Sequence, residues 1–227
     1  MKRAICWGAA VAFALGASLA QATDAPFTET FDANDANWGT STGGLGLTYI
    51  ATGGADGGGY VADTFDVSTK VEGDSVVAFR AQDELNSSDH AFEGNWIADG
   101  VTQLKATVRH DGPEPMFFFT RIASSINFPG ATGIEFTPVP PNVWTDVTFD
   151  ISAANPQFVT FEGSNFASVF SNVGHVQLGF DVPAGLAGSN SPVTVDLDQV
   201  ALVVPEPLCT LPFVLSGLAL LERRRRK

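Results

Sequence analysis

The chain has 227 residues and a formal net charge of −13, with 23 glycines, 18 phenylalanines and two cysteines. So acidic a chain repels nucleic acid and anionic lipid, and neither is an expected partner. Both cysteines, Cys6 and Cys209, lie in the end segments, which leaves no disulfide, thiolate nucleophile or cysteine metal site between them.

At the N-terminus, Lys2 and Arg3 precede an apolar run from Ile5 to Leu19, and Ala20-Gln21-Ala22 supplies small residues for a peptidase. This is the three-part pattern of a secretory signal, and cleavage is expected after Ala22. An apolar run of about 15 residues falls short of the ~20 that a membrane-spanning helix needs. Residues 1–22 are therefore read as the signal peptide, 23–204 as one β-sandwich domain and 205–227 as a separate tail. Within 23–204, only Lys70, Arg80, Lys105, Arg109 and Arg121 are basic, against 23 acids, a net −18. Such a surface attracts cations, calcium first among them.

The 182 residues of this body read as short strands separated by turns, with almost no helical periodicity. Strands are predicted over 27–31, 45–51, 60–65, 75–80, 102–110, 115–122, 132–137, 143–151, 173–180 and 193–203, with one short helix over 165–171. In the strand over 102–110, Leu104, Ala106 and Val108 face one way and Lys105, Thr107 and Arg109 the other. The glycine cluster Gly53–Gly59 lacks the ending of a phosphate loop and reads as a tight strand connection. In the last strand Val193, Val195 and Leu197 share one phase and Val200 and Leu202 the other. The register should therefore slip at a bulge near Asp198-Gln199. About ten short strands at this spacing argue an all-β fold, a two-sheet antiparallel jelly-roll sandwich, flanked by an N-terminal signal helix and a short C-terminal hydrophobic helix.

The tail begins at Val204-Pro205-Glu206-Pro207, continues as an apolar stretch from Leu208 to Leu221 and ends in Arg223, Arg224, Arg225, Arg226 and Lys227. An apolar segment closed by cations arrests in a bilayer with its basic end in the cytoplasm. Fourteen residues make only ~21 Å of helix, thin for a permanent span. A plain tail anchor is the alternative. In motif, order and spacing, the segment resembles the PEP-CTERM sorting signal. That resemblance implies handling by an exosortase after signal peptidase, transient membrane insertion, and delivery to the cell surface or an exopolysaccharide matrix. Cys209 stands where such tails usually carry Ser, Thr or Ala.

Phe31-Asp32 near the start of the body and Asp198-Gln199-Val200 in its last strand resemble paired steps of the galactose-binding-like jelly rolls found in many carbohydrate-binding modules. The resemblance implies a structural calcium between first and last strands, held by Asp32 and Asp198 with Glu29 or Asp196. Calcium takes six to eight oxygens, which carboxylates and carbonyls at joined strand ends can supply. It also implies a glycan site, for which the candidates are Trp96, Phe117 and Phe119 as platforms and Arg80, Arg109 and Arg121 as polar contacts. The competing reading buries the aromatics and pairs the arginines with acids, leaving a structural surface or matrix protein. Trp38 and Trp144 are expected as core anchors. His90, His110 and His175 stand in no catalytic or metal-binding motif, and acid pairs such as Glu93 and Glu135 arise by chance in so acidic a chain. A polysaccharide-active enzyme is the weakest reading, and no enzymatic activity is expected.

Overall fold

In a computed structural model, which describes residues 23–206, the alternating segments form eleven antiparallel strands in two sheets. They are β1 (Phe27–Glu29), β2 (Thr48–Ile50), β3 (Tyr60–Phe65), β4 (Ser75–Gln82), β5 (Gln103–His110) and β6 (Phe118–Ser124), then β7 (Gly130–Ile134), β8 (Thr145–Asp150), β9 (Phe158–Thr160), β10 (Val173–Asp181) and β11 (Val193–Val203). Sheet A runs β2-β3-β11-β5-β8 with β1 also on β11, and sheet B runs β4-β10-β6-β7-β9. The result is the two-sheet jelly-roll sandwich that the sequence pattern predicts. All ten predicted strands are present, β3 and β11 with the predicted ends and the others with shifted ones. β9 escapes prediction because three residues, one of them an outward Val159, carry no readable period.

Alternation places one residue of every pair inside. Leu104, Ala106 and Val108 of β5, Val195 and Leu197 of β11, and Phe118 and Ile122 of β6 are buried between the sheets. Trp38 is buried as expected, edge-on to Phe31 and Phe92 at 5.6 and 5.5 Å. The one α-helix among the described residues, α1 (Phe166–Phe170), starts where the Asn165 side chain accepts the Ser168 amide. No helix among the described residues is long and apolar enough to cross a membrane. The expected signal helix and C-terminal helix, with Ala22, Pro207 and Arg223 to Lys227, lie outside the described residues. Pro205 and Glu206 are exposed just after β11.

The feature that positions the site is the bulge of β11. Its first half pairs with β3, ending at Leu197 opposite Val61, and beyond the bulge it pairs with β1, starting at Val200 opposite Glu29. Its register with β5 shifts across the same step, between Asp198 and Ala201, and Gln199 has a φ of 46°. The extra residue restores Val200 and Leu202 to the core after the phase change. Where the partner changes, the chain leaving β1 and the loop entering β3 abut at Asp198.

Candidate functional site

At this junction oxygen atoms converge from three distant segments. Asp198 is fully buried; its Oδ2 accepts the Ala55 amide at 2.7 Å, while its Oδ1 has no hydrogen-bond partner. A buried carboxylate oxygen without a partner is costly and calls for a ligand. Asp32 lies in the turn just after β1, where Phe31 takes a φ of 50°. Asp56 comes from the glycine loop and accepts the Gln199 side-chain amide at 2.9 Å. Burial, with like charge from Asp56 and Asp32, holds the Asp198 carboxyl above the usual carboxylate range, against the lowering effect of the Ala55 and Gln199 amides.

The loop Gly53–Gly59 is more than the strand connection its sequence suggests. A Cβ on Gly58 would collide with Asp32 Oδ1 and come within 2.9 Å of Asp56 Oδ1. One on Gly54 would come within 2.7 Å of Asp198 Oδ2 and 2.9 Å of the Gly59 carbonyl, and one on Gly59 would strike the Phe31 carbonyl. Glycine at these positions lets carboxylates and carbonyls crowd together at a spacing side chains would prevent. An all-oxygen donor set of carboxylates and carbonyls suits calcium. Asp198 with the Gly58 and Gly59 carbonyls, and Asp32 with Asp56 beside them, are the groups that could hold it, although the three carboxylates do not all lie within 4.8 Å of one another.

Two of the expected ligands are engaged elsewhere. Asp196 lies on the outer face of sheet A and is bound by Arg109 at 2.7 Å, so a guanidinium already fills the cation's place beside it. Glu29 accepts the Thr30 and Phe31 amides through Oε1 and the Ser88 hydroxyl through Oε2. Its part is to fix the turn that delivers Phe31 and Asp32. Asp56 was not among the expected ligands: nothing in its spacing from Asp32 or Asp198 marks it.

The candidate glycan residues divide among three places. Trp96 is fully buried, its indole donating to the Phe92 carbonyl at 2.9 Å and its ring against Phe170, so it cannot stack on a sugar. Arg109 lies on sheet A, where its guanidinium sits 4.4 Å from the Trp144 ring centroid and 5.2 Å from that of Tyr60. Trp144 is therefore not a core anchor but half-buried over the outer face of sheet A, donating to the Gly53 carbonyl at 3.2 Å.

The other four belong to sheet B. Arg80 of β4, Gln177 of β10 and Arg121 of β6 lie in register across neighbouring strands, and Thr132 and Thr160 continue the same row on β7 and β9. A five-strand row of hydrogen-bonding side chains thus crosses the outer face, although Gln177 within it is itself buried. Burial, and then the charge of Arg121, lower the pKa of Arg80. Arg80 donates to the Ser41 carbonyl, and Arg121 binds Glu162 and Asn127. Phe119 faces outward opposite Gly179, but a Cβ there would come within 2.5 Å of its ring; the ring lies down over β10 and is 5% exposed. As found, Phe119 is not an open platform. Phe117, just before β6, is 44% exposed.

No side-chain constellation for hydrolysis is assembled from the acids weighed in the sequence. Glu93 is bonded to His90, whereas Glu135 accepts the Gln157 amide.

No protein-family model matches the chain, and no curated protein matches it by sequence. Among solved structures, it is similar to an exo-β-agarase at 10% identity and a TM-score of 0.49, over 78% of this chain and 24% of that one. It is also similar to the CBM22-1–GH10 modules of a Clostridium thermocellum endo-1,4-β-D-xylanase, at 15% identity and a TM-score of 0.46, over 79% of this chain and 28% of that one. The family 11 carbohydrate-binding module of a Clostridium thermocellum cellulosomal cellulase aligns over 80% of this chain and 98% of its own, at 10% identity and a TM-score of 0.42. The chain thus spans about a quarter of the agarase and of the xylanase modules, and function has to be read from its own residues.

Proposed function

We propose that this chain is an exported, non-catalytic glycan-binding module whose binding surface is the outer face of sheet B. The row Arg80–Gln177–Arg121–Thr132–Thr160 carries the reading. Polar groups spaced by neighbouring strands, about 4.8 Å apart, suit the repeated hydroxyls of an extended polysaccharide. Phe117 at its margin offers the exposed ring that sugar stacking needs. On this reading the signal peptide and the PEP-CTERM-like tail deliver the module, through signal peptidase and an exosortase, to the cell surface or an exopolysaccharide matrix. A calcium ion at Asp32, Asp56 and Asp198 clamps β1, the glycine loop and β11, far from the glycan face in role. It would neutralise the like charges there and give Asp198 Oδ1 its missing partner.

The test is a glycan array probed with the full chain in calcium, alongside Arg80→Ala and Arg121→Ala. Binding to a polysaccharide class that weakens in both variants supports the module. A silent array favours the second reading, a structural surface or matrix protein, which draws on the engagement of Arg121 by Glu162 and Asn127.

A further inference from the structure

A second cluster lies on β4 and β10, one same-face pair along from Arg80 and Gln177, and takes no part in the glycan reading. β4 ends at Gln82, opposite His175 near the start of β10, and the chain then turns through Asp83 and Glu84. His175 is 1% exposed, and its Nε2 has no hydrogen-bond partner. That nitrogen faces Asp83 Oδ1 at 3.4 Å and Glu84 Oε1 at 3.6 Å, separations too long for hydrogen bonds of ordinary geometry. One donor atom from each of the three residues lies within 4.8 Å of the others.

The other ring nitrogen bears on the state of Nε2. Nδ1 lies 3.3 Å from the Gln82 amide nitrogen, while Gln82 Oε1 is buried with no partner. The two ends of an amide are told apart only by their hydrogen bonds. Exchanging them lets Gln82 Oε1 accept Nδ1–H and leaves His175 Nε2 as a lone pair aimed at two carboxylates. A histidine that donates one N–H to a carbonyl and presents the other nitrogen to acids has the arrangement of a metal ligand with its supporting partner.

We propose that His175, Asp83 and Glu84 form a binding site for a divalent transition-metal ion of the zinc class, distinct from the all-oxygen site at Asp198. One imidazole and two carboxylates match the preference of zinc, whereas calcium prefers oxygen alone. Tetrahedral ligands at about 2.1 Å stand ~3.4 Å apart, close to the separations already present. Glu84, with a side chain 63% exposed, leaves an open approach for the ion. An ion there would pin the turn after β4 to the start of β10.

The experiment is calorimetric titration of zinc into the metal-stripped full chain, with calcium held in excess so that oxygen-only sites are filled. The expected result is one equivalent of zinc, bound at least tenfold more weakly by Asp83→Asn/Glu84→Gln. Glu84→Gln alone, a change at an exposed side chain, should weaken it several-fold without disturbing the fold. In parallel, the ring Nε2 resonance of His175 should move on zinc addition. The proposal is overturned by absence of zinc binding, by unchanged binding in these variants, or by a His175 ring that does not respond.

Discussion

Gln199 donates its side-chain amide to Asp56 at 2.9 Å across 143 residues of chain, tying the bulge of the last strand to the glycine loop. That bond, with the Ala55 amide on Asp198, is how a phase slip in β11 becomes a gathering point for oxygen atoms.

The first prediction follows from that gathering. An ion held by Asp32, Asp56 and Asp198 binds only the folded chain, so calcium at ~100 times its dissociation constant should add ~2.7 kcal/mol to stability. Melting in calcium and in chelator measures it. Asp198→Ala should erase the difference, and Gly58→Ala should reduce it, because its methyl would occupy the space between Asp32 and Asp56. Asp196→Asn should leave the calcium response intact, since Asp196 serves Arg109. Equal melting temperatures in calcium and chelator would remove the ion from the account.

A second prediction concerns acid. His110 is buried; its Nε2–H donates to the Val139 carbonyl and its Nδ1 accepts the Gly112 amide, so both nitrogens are satisfied only in the neutral ring. Burial lowers its pKa, against the raising effects of the Val139 hydrogen bond and Asp111. The folded chain therefore binds a proton less readily than the unfolded one. The contribution of His110 is complete above the unfolded value near 6.5 and is lost as the pH falls through the folded value. Ring NMR should find His110 half-protonated only below pH 6.5, and a His110 that is half-protonated at or above 6.5 would contradict this.

Trp96 separates stability from binding. Truncating a fully buried tryptophan in a packed core costs roughly 3–5 kcal/mol, so Trp96→Ala should melt far below the parent chain. Trp96→Phe, which keeps most of the packing, should bind glycan as the parent does. Loss of binding in Trp96→Phe with unchanged melting would place this residue in the ligand site after all.

The sorting reading predicts a mature chain in the native host that begins near Thr23 and ends near Pro205-Glu206-Pro207. Intact-mass measurement on the surface-released protein decides it. A mass that still includes Arg223 to Lys227 would leave an ordinary tail anchor.

Much of the fold was legible because burial writes a period of two into the sequence. The inward Leu104, Ala106 and Val108 and the phase change between Leu197 and Val200 could be read directly, and the structure contains both. Chain-distant contacts leave no such mark. Asp56 joins Asp32 and Asp198 only because β11 changes partner from β3 to β1, and His175 meets Asp83 only through the pairing of β10 with β4. Trp96 and Trp144 show the same limit for large aromatics. Both are apolar enough for either role, and the outcome was set by an acceptor at Phe92 for one and a guanidinium at Arg109 for the other.

The central claim is that the row across sheet B holds a glycan. Calorimetry of the full chain in calcium, against the polysaccharide that scores highest on the array, tests it most directly. The parent chain should bind, and Arg80→Ala/Arg121→Ala should bind at least tenfold more weakly while melting as a folded β protein. Undiminished binding by that double variant, or no binding by the parent chain to any polysaccharide, would contradict it.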